Sequence, residues 1–244
     1  LQVTPFDMPS LEFCENIGFD GYKIASADIQ YPELIDAICK KGKPVFISTG
    51  GAILDEITQA INIIHTHNIP SIIYHCTAAY PAPVEDMNLA FLPTLISIFG
   101  QYSHIGLSDH ENGIDAASVA YMLGARVFEK HFTLDRSWKG TDQSFSLEPS
   151  GLSRLVRNLK RIPIMLGSGE KTVFDSEHKP LAKMIKSACY SGNLQKDNVI
   201  KPNHFIYKVN LNPGVTQVYI NNYIGKTLVK DVFLGQQFEP SHVC

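Results

Sequence analysis

Two runs in this chain combine metal-ligating, acidic and basic side chains at close spacing: Gly106-Leu107-Ser108-Asp109-His110 and Glu129-Lys130-His131-Phe132. If each run ends a parallel strand and the segment from Gly113 to Gly124 is the helix between them, His110 and His131 lie side by side at one mouth. Two neutral imidazoles a strand apart can share one divalent ion and leave positions for water and substrate oxygens. A structural zinc draws four protein ligands, so a closed site is disfavoured. Histidines that merely hydrogen-bond at strand ends satisfy the same spacing, and that alternative stays open.

A second set is Lys23, Ser26, Ser48 and Ser108, one cation and three hydroxyls at the ends of three strands. An ammonium supplies charge and hydroxyls supply direction, which suits a small phosphate or carboxylate. Ser and Thr at such positions also cap the helices that follow, the competing explanation. Tyr80-Pro81-Ala82-Pro83 with Glu85 and Asp86 reads as a stiff loop that could turn Tyr80 toward a substrate. The Gly50-Gly51 pair is not a dinucleotide fingerprint, because no GxGxxG follows it.

These residues need a scaffold that gathers them. Up to about residue 165, short apolar runs alternate with amphipathic stretches, the βα pattern of a parallel sheet. The strands are expected at Gln2–Phe6, Gly21–Ser26, Pro44–Thr49, Ser71–Thr77, His104–His110 and Val127–Thr133. Apolar residues at helical spacing (Leu54, Ile57, Ala60, Ile61, Ile64; then Ala116, Val119, Ala120, Leu123) mark helices that cover the sheet, with Gly124 as a stop. The chemically active residues fall at C-terminal strand ends, where α/β barrels and open sheets place their sites. Six units are too few for an eight-stranded barrel. The abrupt start at Leu1, without methionine, leads us to expect two further βα units upstream.

The expected organisation is a partial barrel over 1–165, a linker over 166–186 with a helical patch near Leu181–Lys186, and a small, mostly β module over 187–244 broken by Pro202, Pro213, Gly214, Gly225 and Gly235. With 44% hydrophobic residues the chain can bury a full core. A net charge of −3 without clustered Lys or Arg gives nucleic acid no basic face. Five singly placed cysteines without CxxC spacing suit a reducing cytoplasm, and no run approaches the roughly 20 apolar residues that span a bilayer.

Taken together, the residues resemble the sialic acid synthase family, which includes N-acetylneuraminate synthase and relatives making other nine-carbon acids. The matching runs are Thr4–Asp7, Tyr22–Asp28, Ile47–Gly50, His75–Thr77 with Tyr80-Pro81, Gly106–His110, Glu129–Thr133 and Ser146–Pro149; Gly225-Lys226 and Asp231 look like the family's antifreeze-like (SAF) domain. The resemblance implies a (β/α)8 TIM barrel lacking its first two units here, followed by a SAF module. It implies condensation of phosphoenolpyruvate with the aldehyde of an N-acyl hexosamine similar to N-acetylmannosamine, a carbon–carbon bond-forming transfer that releases phosphate. It further implies His110 and His131 as ligands of a divalent ion, manganese first with magnesium or cobalt as alternatives, acting as a Lewis acid on the aldehyde. Asp28 joins them near the reacting centre. Lys23, Ser26, Ser48 and Ser108 become phosphoenolpyruvate-binding positions, Tyr80 and Asp142 lie near the amino sugar, Thr77 is a further substrate-binding position, and a domain-swapped homodimer is the expected assembly.

Four positions depart from the pattern. Asp28 is shorter than the usual acidic residue, Ala78 stands in place of a frequent asparagine, Gln143 in place of a histidine, and Asn212 where many relatives carry an arginine that reaches a partner subunit. Two other readings compete: a non-catalytic sugar- or anion-binding remnant of the fold, and a barrel aldolase using a lysine Schiff base. The second is disfavoured by the hydroxyls around Lys23.

Overall fold

The computed structural model describes residues 1–244, which divide into two compact units, Leu1–Ser168 and Gly169–Cys244. In the first unit six parallel strands pair in chain order: β1 (Gln2–Val3), β2 (Gly21–Ile24), β3 (Val45–Ser48), β4 (Ser71–Cys76), β5 (His104–Asp109) and β6 (Val127–Lys130). The intervening and following helices are α1 (Met8–Ile17), α2 (Pro32–Cys39), α3 (Leu54–Thr66), α4 (Leu92–Phe99), α5 (Asp115–Met122) and α6 (Pro149–Leu166). All six expected strands form. Each stops short of its expected C-terminal end, because Ser26, Thr49, Thr77, His110 and His131 leave the ladder and turn into the loops of one mouth. The sheet is curled and open: β1 and β6 each pair on one side only, so these strands do not close the (β/α)8 barrel.

The period-2 alternation of strand side chains gives the sheet two unlike faces. Tyr22, Ile24, Val45, Ile47, Ile73, Ile105 and Leu107 point to one side and pack into a single core with the helices. From α3 this core takes Ile57, Ala60, Ile61 and Ile64, the stripe that helical spacing predicts. Local chemistry supports the helices as well. Asp7 caps α1 by accepting from Ser10 N at 2.7 Å, and Gly18 closes it at φ 88°, a left-handed conformation that costs glycine little. Glu56 accepts from Ile53 N at 2.8 Å at the start of α3.

The other face carries Lys23, Phe46, Ser48, Tyr74, Cys76, Gly106, Ser108 and Glu129, the positions that alternate with the core residues. Gly106 lies between Tyr74 of β4 and Val127 of β6 in the ladder. A Cβ there would stand 2.4 Å from the Val127 carbonyl oxygen and 2.8 Å from the Tyr74 ring. The glycine lets that ring lie across β5 and stack on Phe46, with centroids 6.3 Å apart.

Two sequence expectations change. The Gly-, Ser- and charge-rich composition from Pro163 to Pro180 reads as linker, but α6 continues through Pro163 to Leu166, with Leu155 and Ile162 buried on one stripe and the missing amide of one proline tolerated near its end. The stretch 166–186 contains the helix α7 (Asp175–Ala182), which starts earlier than the patch expected near Leu181–Lys186. Its first turn is held by Glu177 accepting from Phe174 N at 2.9 Å. The second unit then pairs β7 (Lys186–Tyr190) antiparallel with β8 (Phe205–Val209), followed by a short helix α8 (Gln217–Ile220). Isolated bridges such as Leu194 to Val232 and Leu228 to Val243 complete it around Tyr190, Phe205 and Phe238.

Replacing Gly106 by alanine should destabilise the first unit by about 1–3 kcal/mol through overpacking against Val127 and Tyr74. A urea midpoint for Gly106→Ala equal to that of the unaltered protein would contradict this account.

Candidate active site

The site grows from two rungs of the β4–β5–β6 ladder. Cys76, Ser108 and Glu129 sit opposite one another, all on the face away from the core. Ser108 Oγ donates to Glu129 Oε1 at 2.9 Å, and Lys23 Nζ reaches the same oxygen at 3.3 Å from β2, with the Tyr74 ring 5.6 Å beneath it. One carboxylate thus ties together an ammonium and a hydroxyl from separate strands. Glu129 was not among the residues expected to form the site, although strand alternation puts it on the same face as His131.

One residue beyond the ladder come the imidazoles. His110 is 5% exposed and its Nδ1 lies 2.8 Å from the Thr77 carbonyl, a bond in which Nδ1–H donates. That tautomer leaves Nε2 with a lone pair, 3.4 Å from Ser108 Oγ. Burial holds the His110 pKa below its ordinary value, partly offset by the bond to Thr77, so the ring is neutral and fit to ligate at neutral pH. His131 Nδ1 stands 3.3 Å from Asp142 Oδ2, which orients its Nε2 in the same way. The two ring centroids are 5.1 Å apart and nearly perpendicular. For His110 the sequence alternatives are therefore not exclusive, since one nitrogen makes a structural bond and the other stays free, while His131 has the Asp142 carboxylate beside its Nδ1.

Aromatic rings wall the pair. The Tyr80 ring is 4.3 Å from His110 and 5.7 Å from His131, and Phe145, buried and not anticipated from sequence, lies 5.1 Å from His131. Tyr80 is 55% exposed, so its outer side stays open to solvent and to a ligand.

The hydroxyls do not cap helices. Ser26 Oγ accepts from Gly50 N at 3.1 Å and lies 3.8 Å from Cys76 Sγ. Gly50 has no room for a side chain, since a Cβ would meet Ala78 Cβ at 2.8 Å and Ser26 Oγ at 3.0 Å. Ser48 Oγ is buried without a partner, and so is Asp28 Oδ2 in the 3-10 turn Ser26–Asp28 after β2. Burial raises the Asp28 pKa. Buried polar atoms without partners cost roughly 1–3 kcal/mol each, a cost that a bound polar ligand removes. Thr77 contributes differently: its Oγ1 donates to the Asp86 carbonyl at 3.1 Å, and its own carbonyl holds His110. The structure therefore gathers Lys23, Ser108, His110, His131, Tyr80, Thr77 and Asp142 into one contact network, and Ser26 joins it through Cys76, whose Sγ also lies 3.8 Å from His110 Nδ1. Ser48 and Asp28 make no side-chain contact with it.

No cluster of three or more His, Cys, Asp or Glu side chains arranged for a metal ion is present. What the chain offers a divalent ion is two oriented imidazoles, a donor set that fits an ion sharing its remaining positions with water and substrate.

The sequence profile of the NeuB family matches residues 1–171. An N,N'-diacetyllegionaminic acid synthase of Campylobacter jejuni is 33% identical over 233 residues, covering 93% of this chain and 68% of that protein. The N-acetylneuraminate-9-phosphate synthase of Homo sapiens is 32% identical over 230 residues, covering 94% of this chain and 64% of that protein. The crystal structure of an N-acetylneuraminic acid (sialic acid) synthetase from Leptospira borgpetersenii, solved with citrate, superposes with a TM-score of 0.65 at 38% identity, covering 73% of this chain and 62% of that one. The chain spans about two thirds of the length of these relatives. With most of its length matched by the family profile and relatives above 30% identity across nearly all of it, the chain belongs to the NeuB family.

Proposed function

We propose that this chain carries the condensation site of a phosphoenolpyruvate-dependent sugar acid synthase acting on the open-chain aldehyde of an N-acyl hexosamine. The observation that supports the reading is one sheet face on which Lys23 and Ser108 meet at the Glu129 carboxylate beside the His110 and His131 imidazoles. His110 and His131 would hold a divalent ion, manganese by preference, through Nε2. When bound, such an ion polarises a sugar carbonyl.

The remaining steps belong to the chain's own residues. Lys23 with the hydroxyls of Ser26, Ser48 and Ser108 binds the phosphate and carboxylate of phosphoenolpyruvate, and Ser48 Oγ gains the partner it lacks. Thr77 keeps His110 in its ligating tautomer, and Asp142 does the same for His131 while bordering the sugar. Tyr80 and Phe145 exclude water from one side of the imidazole pair. C3 of phosphoenolpyruvate forms the new carbon–carbon bond, and the carbonyl oxygen takes a proton to become a hydroxyl. Water adds at C2 and phosphate leaves with cleavage of the C2–O bond; of the two protons the water brings, one is that taken up by the former aldehyde oxygen and the other leaves on the phosphate. A 2-keto-3-deoxy acid remains, and placing two reactants together supplies most of the acceleration.

In the same reading Gly169–Cys244 is an antiparallel SAF-type module, and the protein is a homodimer with exchanged modules. A core of only eight fully buried residues supports the need for a partner surface. All five cysteines are free, which supports a reducing, cytoplasmic setting, and no helix is long and apolar enough to cross a membrane.

Purified protein given phosphoenolpyruvate, N-acetylmannosamine and manganese should release phosphate; no release with any N-acyl hexosamine would overturn the assignment. Lys23→Met should raise KM for phosphoenolpyruvate about 10–100-fold, the loss of one charge-assisted contact of about 1.5–3 kcal/mol. An unchanged KM would remove Lys23 from the cradle. His110→Ala and His131→Ala should each abolish metal-dependent activity with an unchanged circular dichroism spectrum.

Asp28 gives a pH test. Its folded pKa is raised, so the folded state holds a proton that the unfolded chain has released, and the penalty appears as pH rises from the unfolded carboxylate pKa through the folded one. Asp28→Asn should therefore gain stability over the unaltered protein at neutral pH, by at most about 1–3 kcal/mol, and lose that advantage below the carboxylate range. Parallel urea midpoints at both pH values would count against an unpartnered Asp28.

A further inference from the structure

Asp109 and Lys130 are the last paired residues of the β5–β6 ladder, each directly preceding one of the two histidines. Their side chains point to the face opposite Ser108 and Glu129, and none of the cradle or histidine contacts uses them. Lys130 Nζ lies 2.8 Å from Asp109 Oδ2, with side chains only 5% and 3% exposed, so the pair is shielded from solvent on the far side of the sheet. The network does not stop at the pair. Asp109 Oδ1 accepts from Glu111 N at 2.8 Å, and Lys130 Nζ also donates to the Glu111 carbonyl. Residues 109 and 111 thus bracket His110 on both sides, and both are tied to the side chain of the residue before His131.

We propose that Lys130 and Asp109 are positioning residues that set the separation and mutual orientation of the His110 and His131 imidazoles, an inference that rests on the reading of those rings as ligands of one divalent ion. The physical reason is the place where the ladder ends. Strand hydrogen bonds between β5 and β6 fix backbone up to Asp109 and Lys130, and both histidines lie one residue beyond, where loop contacts and, after His131, the isolated bridge of Phe132 with Leu147 take over. Those contacts come from different segments: Ala82 N donates to the His110 carbonyl at 3.0 Å, and Leu147 N to the His131 carbonyl at 2.9 Å. Nothing among them joins the His110 backbone to the His131 backbone. The Asp109–Lys130–Glu111 clamp supplies that link, extending past the last rung the interstrand register that the ladder fixes up to Asp109 and Lys130. Lysine suits the task, since its ammonium presents three donors that can serve a carboxylate and a carbonyl at once.

The test is manganese binding by the whole protein, read by calorimetry and by the electron paramagnetic resonance of the bound ion, with His131→Ala as the reference for loss of the site. In the double variant Asp109→Asn, Lys130→Met the two charges of the pair go together, so neither is left buried alone and the fold is expected to persist. Its manganese Kd should rise roughly tenfold to a hundredfold, the range seen when groups behind metal ligands are removed. The spectrum should broaden as the ligand geometry spreads. Lys130→Arg is the second variant. It keeps a buried cation and therefore the fold, but its planar fork cannot copy the ammonium's two contacts, and a severalfold weaker affinity is expected. Wild-type affinity and an unaltered spectrum in whichever variant folds would overturn the clamp while leaving the metal reading intact. Failure of the unaltered protein to bind manganese more tightly than His131→Ala would overturn the metal reading itself, and the clamp with it.

Discussion

The parallel ladder that joins β4, β5 and β6 is the constraint on which the rest of this molecule depends. Because the side-chain period of a strand is two, one choice of register decides which residues meet helices and which meet ligand. With Ser108 opposite Glu129 and Asp109 opposite Lys130, the first rung opens onto the cradle and the second is buried behind it. A slip of a single residue would bury Ser108 and Glu129 against Ala116 and Ala120 and expose Leu107 and Phe128. The apolar core therefore enforces the register, and the register in turn builds the site.

The two sides of the sheet settle their polar groups in opposite ways. Behind the sheet the Asp109 carboxylate and the Lys130 ammonium satisfy each other and the adjoining backbone. On the cradle side Ser48 Oγ is left without a partner, and Asp28 Oδ2 in the turn after β2 and Glu111 Oε2 beside the pair lack one as well. An unsatisfied hydroxyl where a ligand would enter is a stability cost that binding removes, whereas the Asp109–Lys130 pair behind it helps keep the frame rigid.

Sharp fit also explains the glycines of the motif runs. Gly106 gives the Tyr74 ring room to cross the sheet beneath Lys23, and Gly50 lets the loop after β3 press against Ala78 and Ser26. In both places a ligand-side residue is set by how closely backbone can approach. The alanine at position 78 belongs to the same contact, so the departure from the family's frequent asparagine is accommodated against a glycine.

Much of this was legible in the residues themselves. Apolar runs and 3.6-residue stripes located all six strands and their covering helices, because these periodicities report burial directly. The motif runs pointed to His110, His131 and Lys23, since end-of-strand positions in α/β sheets converge. What the chain could not disclose in one dimension was which polar atoms meet. Glu129 was visible in its run, yet its bonds to Lys23 and Ser108 join strands that lie far apart in sequence. Phe145 reaches His131 from a loop, and Thr77 acts through its carbonyl, which no side-chain pattern reveals. α6 likewise runs on through Pro163 although Ile164, Met165 and Leu166 beyond it are exposed, so one proline near the helix end does not stop it. Sequence thus determined the elements and the mouth where chemistry gathers; only tertiary structure decided the pairings, because hydrogen bonds depend on ångström distances between strands and not on spacing along one.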